Sequence, residues 1–310
     1  MGYSFGIVKK ENYVYNPQSG DAVIVMGPPA KLVGLEGAVG SSLAHVQETI
    51  ITRESSVQQG DPEAERKWGK LLEDVLFDSG RIRYIQDVGG GGLSSALFET
   101  PKRMDTVDKG IRVYANRVPT QVDRMSYHEL MLNESQERMV MVVRPEDVPW
   151  VIEQCGRYEV DAYHVADLTD DGRSIVVDEN TGNTIMNIET NFIANGKPKV
   201  KRTTTYKVHQ LPEPEIIIPN NHDLNQELKG LLRNPNIADQ SPMIRSFDYR
   251  VQGRTVLPQF SGPNADNPND AAVVSLFDGH HIGAVEACAV NSRQGIKDMR
   301  KMVSTHPAGS

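Results

Sequence analysis

The run "IQDVGGGGLSSALFE", residues 85 to 99, sets Asp87 at the end of a strand-like stretch, then Gly89, Gly90, Gly91 and Gly92, then the start of a helix. Glycines at a strand-to-helix junction let backbone N–H groups approach an anion at the positive helix end. A dinucleotide loop needs glycine or alanine at its third key place, and Ser94 stands there, so that reading fails. Two readings stay open. One is a tight turn beside a solvated acid; the other is a carboxylate that holds Mg²⁺ while the loop faces the phosphate oxygens the ion bridges.

Two further polar groups have the chemistry to bind a ligand. "LNESQERMV", residues 132 to 140, places Glu134, Ser135 and Gln136 in succession before an apolar strand. An acid, a hydroxyl and an amide together can grip a ribose or phosphate, or can simply cap a polar turn. "SSVQQGDPEAE", residues 55 to 65, sets Gln58 and Gln59 ahead of a long helix with Asp61 as its N-cap. The histidines form no metal-binding spacing, and the adjacent His280 and His281 fit a hairpin turn. Cys155 and Cys288 lie far apart in neither a CxxC nor a Cys/His spacing, which supports neither a disulfide framework nor a zinc site.

The elements that must position these residues are readable from periodicity. "GYSFGIVKK" and "DAVIVMG" read as a strand pair across the turn "NPQSGD". In "DPEAERKWGKLLEDVLFDSG", Trp68, Leu71, Leu72, Val75 and Leu76 fall in helical register, with Asp61 and Pro62 as start signals and Gly80 as a stop. "RYIQDV" follows as a strand, "ERMVMVVR" as a buried strand, "PEDVPWVIEQCGRY" as a helix and "DAYHVADLT" as a strand. "GRSIVVDENTGNTIMNI" reads as a hairpin turning at Asn-Thr-Gly. Strands alternating with helices predict a layered sheet with helices packed on it. Lys, Thr, Pro and Glu then dominate residues 197 to 222, as in a linker. Beyond it, "NQELKGLLRNP" predicts a helix and "DAAVVSLFDGHHIGAVEACAV" two strands.

A chain of 310 residues is long enough to bury a sizeable core. With 38% hydrophobic residues and no apolar run near 18 residues, a membrane span is not expected. A net charge of −8 argues against a nucleic-acid footprint, which needs a dense basic face. The default compartment is the cytoplasm.

Taken in order, "VQQGDPEAE", "QDVGGGGLSSALFE", "LNESQERMV" and "VADLTDDGR" resemble the phosphoribosylformylglycinamidine synthases, over about residues 2 to 298. The resemblance implies an α+β fold: a three-layer α/β/α carboxy-terminal-type subdomain of the aminoimidazole ribonucleotide synthetase-like superfamily in residues 1–196, a linker at 197–222, and the incomplete start of a second repeat in 223–310. It implies a ligase reaction of purine biosynthesis, in which ATP activates the amide of formylglycinamide ribonucleotide as an iminophosphate and glutamine-derived ammonia displaces phosphate. The cofactors implied are Mg²⁺ and ATP. Matched position by position, Asp87 corresponds to a magnesium ligand, Gln58 and the trio Glu134, Ser135 and Gln136 to substrate-binding residues, and Asp298 in "NSRQGIKDM" to a nucleotide contact. Gly90 stands where the family usually has alanine. No residue here matches the family's catalytic histidine, which lies in a preceding subdomain. The implied partners are the remaining synthetase subdomains and a glutaminase domain or subunit. A stand-alone, non-catalytic ribonucleotide-binding module is the alternative.

Overall fold

The computed structural model describes residues 9, 15–32, 34, 35, 37, 59–201, 203, 215, 223–246, 249, 250, 253–277 and 279–287. Contacts divide the chain into two compact units, Val8–Val200 and a second made of Met1–Ile7 with Lys201–Ser310.

In the first unit, β1 (Ala22–Met26) is followed by α1 (Pro62–Leu71), β2 (Ile82–Asp87), α2 (Gly92–Glu99) and β3 (Gly110–Tyr114). Then come α3 (Tyr127–Leu132), β4 (Met139–Val143), α4 (Val148–Arg157), β5 (Ala162–Thr169), β6 (Arg173–Asp178), β7 (Asn183–Glu189) and α5 (Thr190–Asn195). The strands form one sheet in the order β2-β4-β1-β5-β3-β6-β7, antiparallel except for the parallel pair β3–β6.

Every residue of β1 is buried because both faces of the sheet are covered. Val23 and Val25 point to one side, where Val140 and Val142 of β4 join Leu93 and Leu97 of α2 and Leu130 and Met131 of α3. Ala22, Ile24 and Met26 point to the other, against Leu71 of α1 and Val151 and Cys155 of α4. Helices on both faces make the three-layer α/β/α arrangement that the sequence implies.

The pairing of β1 differs from the sequence reading. "DAVIVMG" hydrogen-bonds to β4 on one edge and β5 on the other, so neither edge remains for "GYSFGIVKK". That opening segment, Lys9 apart, lies outside the described residues. A strand has only two edges, and local turn chemistry cannot tell which distant strands will fill them.

Asp61 caps α1 as expected, accepting the Ala64 N–H at 3.1 Å. The helix continues through a π turn, Leu72–Leu76, and a 3₁₀ turn, Phe77–Ser79, before Gly80 ends it at φ 65°. The hairpin of β6 and β7 closes with Gly182 at φ 73° and its N–H on Asp178 C=O.

The second unit contains α6 (Leu224–Leu232), α7 (Ser241–Ile244) and β8 (Thr255–Leu257), then β9 (Phe260–Ser261), β10 (Asn267–Pro268), β11 (Ala272–Ser275) and β12 (Gly283–Glu286). β12, β11 and β8 form a three-stranded antiparallel sheet, with His280 and His281 between β11 and β12. Most of the expected linker lies outside the described residues.

Candidate functional site: a glycine turn locked to a polar strap

Asp87 ends β2 opposite Met139 of β4, and its side chain is exposed at the sheet rim. One residue further on, the Val88 N–H donates to Arg138 C=O at 2.9 Å, so the chain is still held where the glycines begin. The Gly92 N–H donates to Gly89 C=O at 3.0 Å, closing a tight turn. Gly91 and Gly92 lie at φ 83° and 61°, a left-handed conformation that glycine adopts without strain. At Gly92 an added Cβ would also lie 2.4 Å from the Asn133 carbonyl oxygen, so no side chain fits.

The contacts of the turn bear on the loop's part in both open readings. The Gly91 N–H donates to Glu134 Oε1 at 2.9 Å. Two of the loop amides are therefore satisfied within the protein, and the turn is a structural joint beside Asp87 rather than a full phosphate cradle.

That joint docks on a strap running from Asn133 to Arg138, between α3 and β4. Glu134 is 1% exposed and Ser135 2% exposed. Ser135 Oγ accepts the Lys31 N–H at 2.9 Å, the Ser135 N–H donates to Asn133 Oδ1 at 2.9 Å, and the Glu134 N–H donates to Gly34 C=O at 3.1 Å. Asn133 Nδ2 donates to Lys31 C=O. Gln136 is half-buried and donates from Nε2 to Glu134 C=O at 2.7 Å. Glu137 adopts φ 61°, uncommon for a residue with a side chain. Gly27, just past β1, makes room for it: a Cβ there would lie 2.2 Å from Glu137 C=O.

Arg138 closes the strap from beneath. Its guanidinium donates to Asn133 C=O at 2.6 Å, Ser135 C=O at 3.1 Å and Asn133 Oδ1 at 3.3 Å. It is 2% exposed, and burial pulls its pKa down to about 10.

Asp87, the four glycines and Glu134 to Gln136 thus come together although 43 residues separate Gly91 from Glu134. Gln58 lies outside the described residues. The segment just after it reaches the strap, where the Asp61 N–H donates to Glu137 Oε1 at 3.4 Å. Asp298 also lies outside the described residues. Sequence reasoning missed Gly27, Lys31, Gly34, Asn133 and Arg138. The glycines after β1 were a visible signal, whereas backbone partners such as Lys31 leave none.

Asp87 offers a hard oxygen donor, and among the described residues no group of three or more His, Cys, Asp or Glu could hold a metal. One exposed carboxylate fits Mg²⁺, which is commonly bound through one or two carboxylates with phosphate and water completing its shell, and does not fit a cage built from protein alone.

A glycine turn and strap at the rim of a mixed sheet, covered by helices on both faces, define an α+β domain with a polar site at that rim. Residues 18–179 match the family described as AIR synthase related protein, C-terminal domain, and the chain belongs to that family. A relative in Methanothermobacter thermautotrophicus, phosphoribosylformylglycinamidine synthase subunit PurL, is 31% identical over 263 residues, which are 85% of this chain and 34% of the relative. The chain thus spans about a third of that relative's length. Two solved structures share the fold. T. maritima PurL complexed with FGAR superposes with a TM-score of 0.62 at 21% identity, covering 87% of this chain and 40% of that one. T. maritima PurL complexed with ATP gives 0.55 at 20% identity, covering 87% and 37%.

Proposed function

We propose that this chain supplies the substrate-facing strap and one magnesium-binding edge of an ATP-dependent ligase that converts formylglycinamide ribonucleotide to its amidine with glutamine-derived ammonia. The observation that carries the reading is the junction of the Asp87–Gly92 turn with the Asn133–Arg138 strap through the Gly91–Glu134 hydrogen bond. It joins a carboxylate suited to Mg²⁺ to a polar segment suited to a ribonucleotide. The FGAR and ATP held by the T. maritima relatives are consistent with both halves.

In this reading Gln136 presents its amide to the ribonucleotide, while Glu134 and Ser135 fix the strap from inside and contribute backbone groups. Gln58 is proposed as a further substrate contact and Asp298 as a nucleotide contact. Magnesium, held by Asp87 together with phosphate oxygens, would neutralise charge on the triphosphate. The Gly89–Gly92 turn keeps backbone rather than side chain beside Asp87, leaving space for close approach. In this reading residues 1–196 form one synthetase subdomain, 197–222 a linker and 223–310 the beginning of a second repeat. The division of contacts near residue 200 supports the boundary between the first and last parts, though it groups Met1–Ile7 with the latter. The proposed partners are the remaining synthetase subdomains and a glutaminase.

Titration calorimetry of the 310-residue chain with formylglycinamide ribonucleotide, with and without MgATP, tests the binding half of this reading. Saturable binding that weakens in Gln136→Ala supports it. Absence of binding in both conditions contradicts it.

A further inference from the structure

We infer that Arg138 is a positioning residue for the site: it holds the strap in the one conformation from which Gln136 can meet its ligand. This rests on the function proposed above.

A guanidinium that is 2% exposed has lost its water, and the groups around it must replace that hydration. Arg138 gives its donors to two backbone carbonyls and one side-chain amide oxygen, all on Asn133 and Ser135. Those acceptors belong to a single short segment, so the charge acts on the shape of that segment. The Arg138 carbonyl meanwhile accepts the Val88 N–H, next to Asp87. One residue therefore fastens the strap through its side chain and the approach to the glycine turn through its backbone.

The backbone beside it supports this. Glu137 sits at φ 61°, a conformation that persists only where its surroundings over-determine it, and such positions concentrate at functional sites. Gly27 against Glu137 and Gly92 against Asn133 make room on either side. A replacement of similar volume but without the planar fork fills the space and cannot bridge three acceptors spread over two residues. Replacing Arg138 leaves the Asn133 and Ser135 carbonyls and Asn133 Oδ1 without this donor, which lowers stability, so the effect on shape is read at single amides against the core rather than from unfolding.

The test uses the full chain as Arg138→Met, with Arg138→Lys as a second variant should the first fail to fold. Amide hydrogen exchange is read at Glu134 and Ser135, whose N–H groups are bonded to Gly34 C=O and Asn133 Oδ1. Formylglycinamide ribonucleotide affinity is read by calorimetry, alone and combined with Gln136→Ala. The expected result is exchange at both amides that speeds up by a larger factor than at the core amides of β1, with an affinity loss of about tenfold. The double variant should bind no more weakly than about twofold below the weaker single variant, because both changes remove the same contact. Unchanged exchange at Glu134 and Ser135, or losses that multiply in the double variant, would overturn the inference. If the wild-type chain binds no ribonucleotide, the functional reading falls, and exchange alone decides whether Arg138 sets the strap.

Discussion

Gln136 differs from its two neighbours in being half-buried where Glu134 and Ser135 are enclosed, and its amide donates back to Glu134 C=O. Gln136→Ala is expected to weaken ribonucleotide binding by about 1 to 3 kcal/mol, the scale for leaving a buried partner unsatisfied. Equal calorimetric affinities would remove it from the site. Gly92 is constrained more severely, by positive φ and by the Asn133 carbonyl at once. Gly92→Ala should destabilise the fold by more than about 1 kcal/mol in urea unfolding, since alanine gains nothing where the native conformation excludes it. At Tyr114, burial and a 2.6 Å hydrogen bond to Asp167 Oδ2 push the phenol up to about 12 from its ordinary 10.0. A raised folded value contributes stability that is complete below pH 10 and is lost as pH climbs towards 12. Chemical denaturation of Tyr114→Phe across that window should show a flatter alkaline decline than wild type. Parallel curves would mean that Tyr114 contributes none of it. The residue types at the site were legible in the sequence. Their contacts were not, because Lys31, Gly34 and Asn133 act through backbone groups or at sequence separations that no local pattern reports.

At the scale of elements, legibility followed locality. α1 announced itself through its N-cap, its proline and its apolar period, and the Asp61 carboxylate meets the Ala64 N–H as that pattern requires. Asp61→Ala should therefore cost about 1 kcal/mol of stability by thermal unfolding, and a shift within error would refute the capping role. The hairpin of β6 and β7 was equally local. α3 was not anticipated, although Ser126 and Glu129 form a capping box, a signal present in "SYHE" and overlooked beside the polar residues that follow. β3 was also missed: Ile111 and Val113 alternate with Arg112 and Tyr114 over only five residues. The pairing of β1 was beyond any local signal, since β4 and β5 lie more than a hundred residues away and compete for its edges only in the folded chain.

For the whole molecule, the Val8–Val200 unit gathers the turn and the strap at one end of a sheet covered on both faces, while Lys201–Ser310 builds its own small sheets. The chain spans about a third of its M. thermautotrophicus relative, so the proposed activity calls for the rest of a synthetase besides these residues. The central claim is that this chain carries the magnesium edge and the substrate strap of one amidotransferase site. Its most direct test is to mix the chain with the remaining synthetase subdomains and assay ammonia-dependent, ATP-consuming amidine formation across a magnesium titration. Activity that needs this chain, with a clearly higher magnesium requirement in Asp87→Asn, is the predicted result; an active mixture in which Asp87→Asn leaves magnesium dependence unchanged, or one that is active without this chain, would contradict the account.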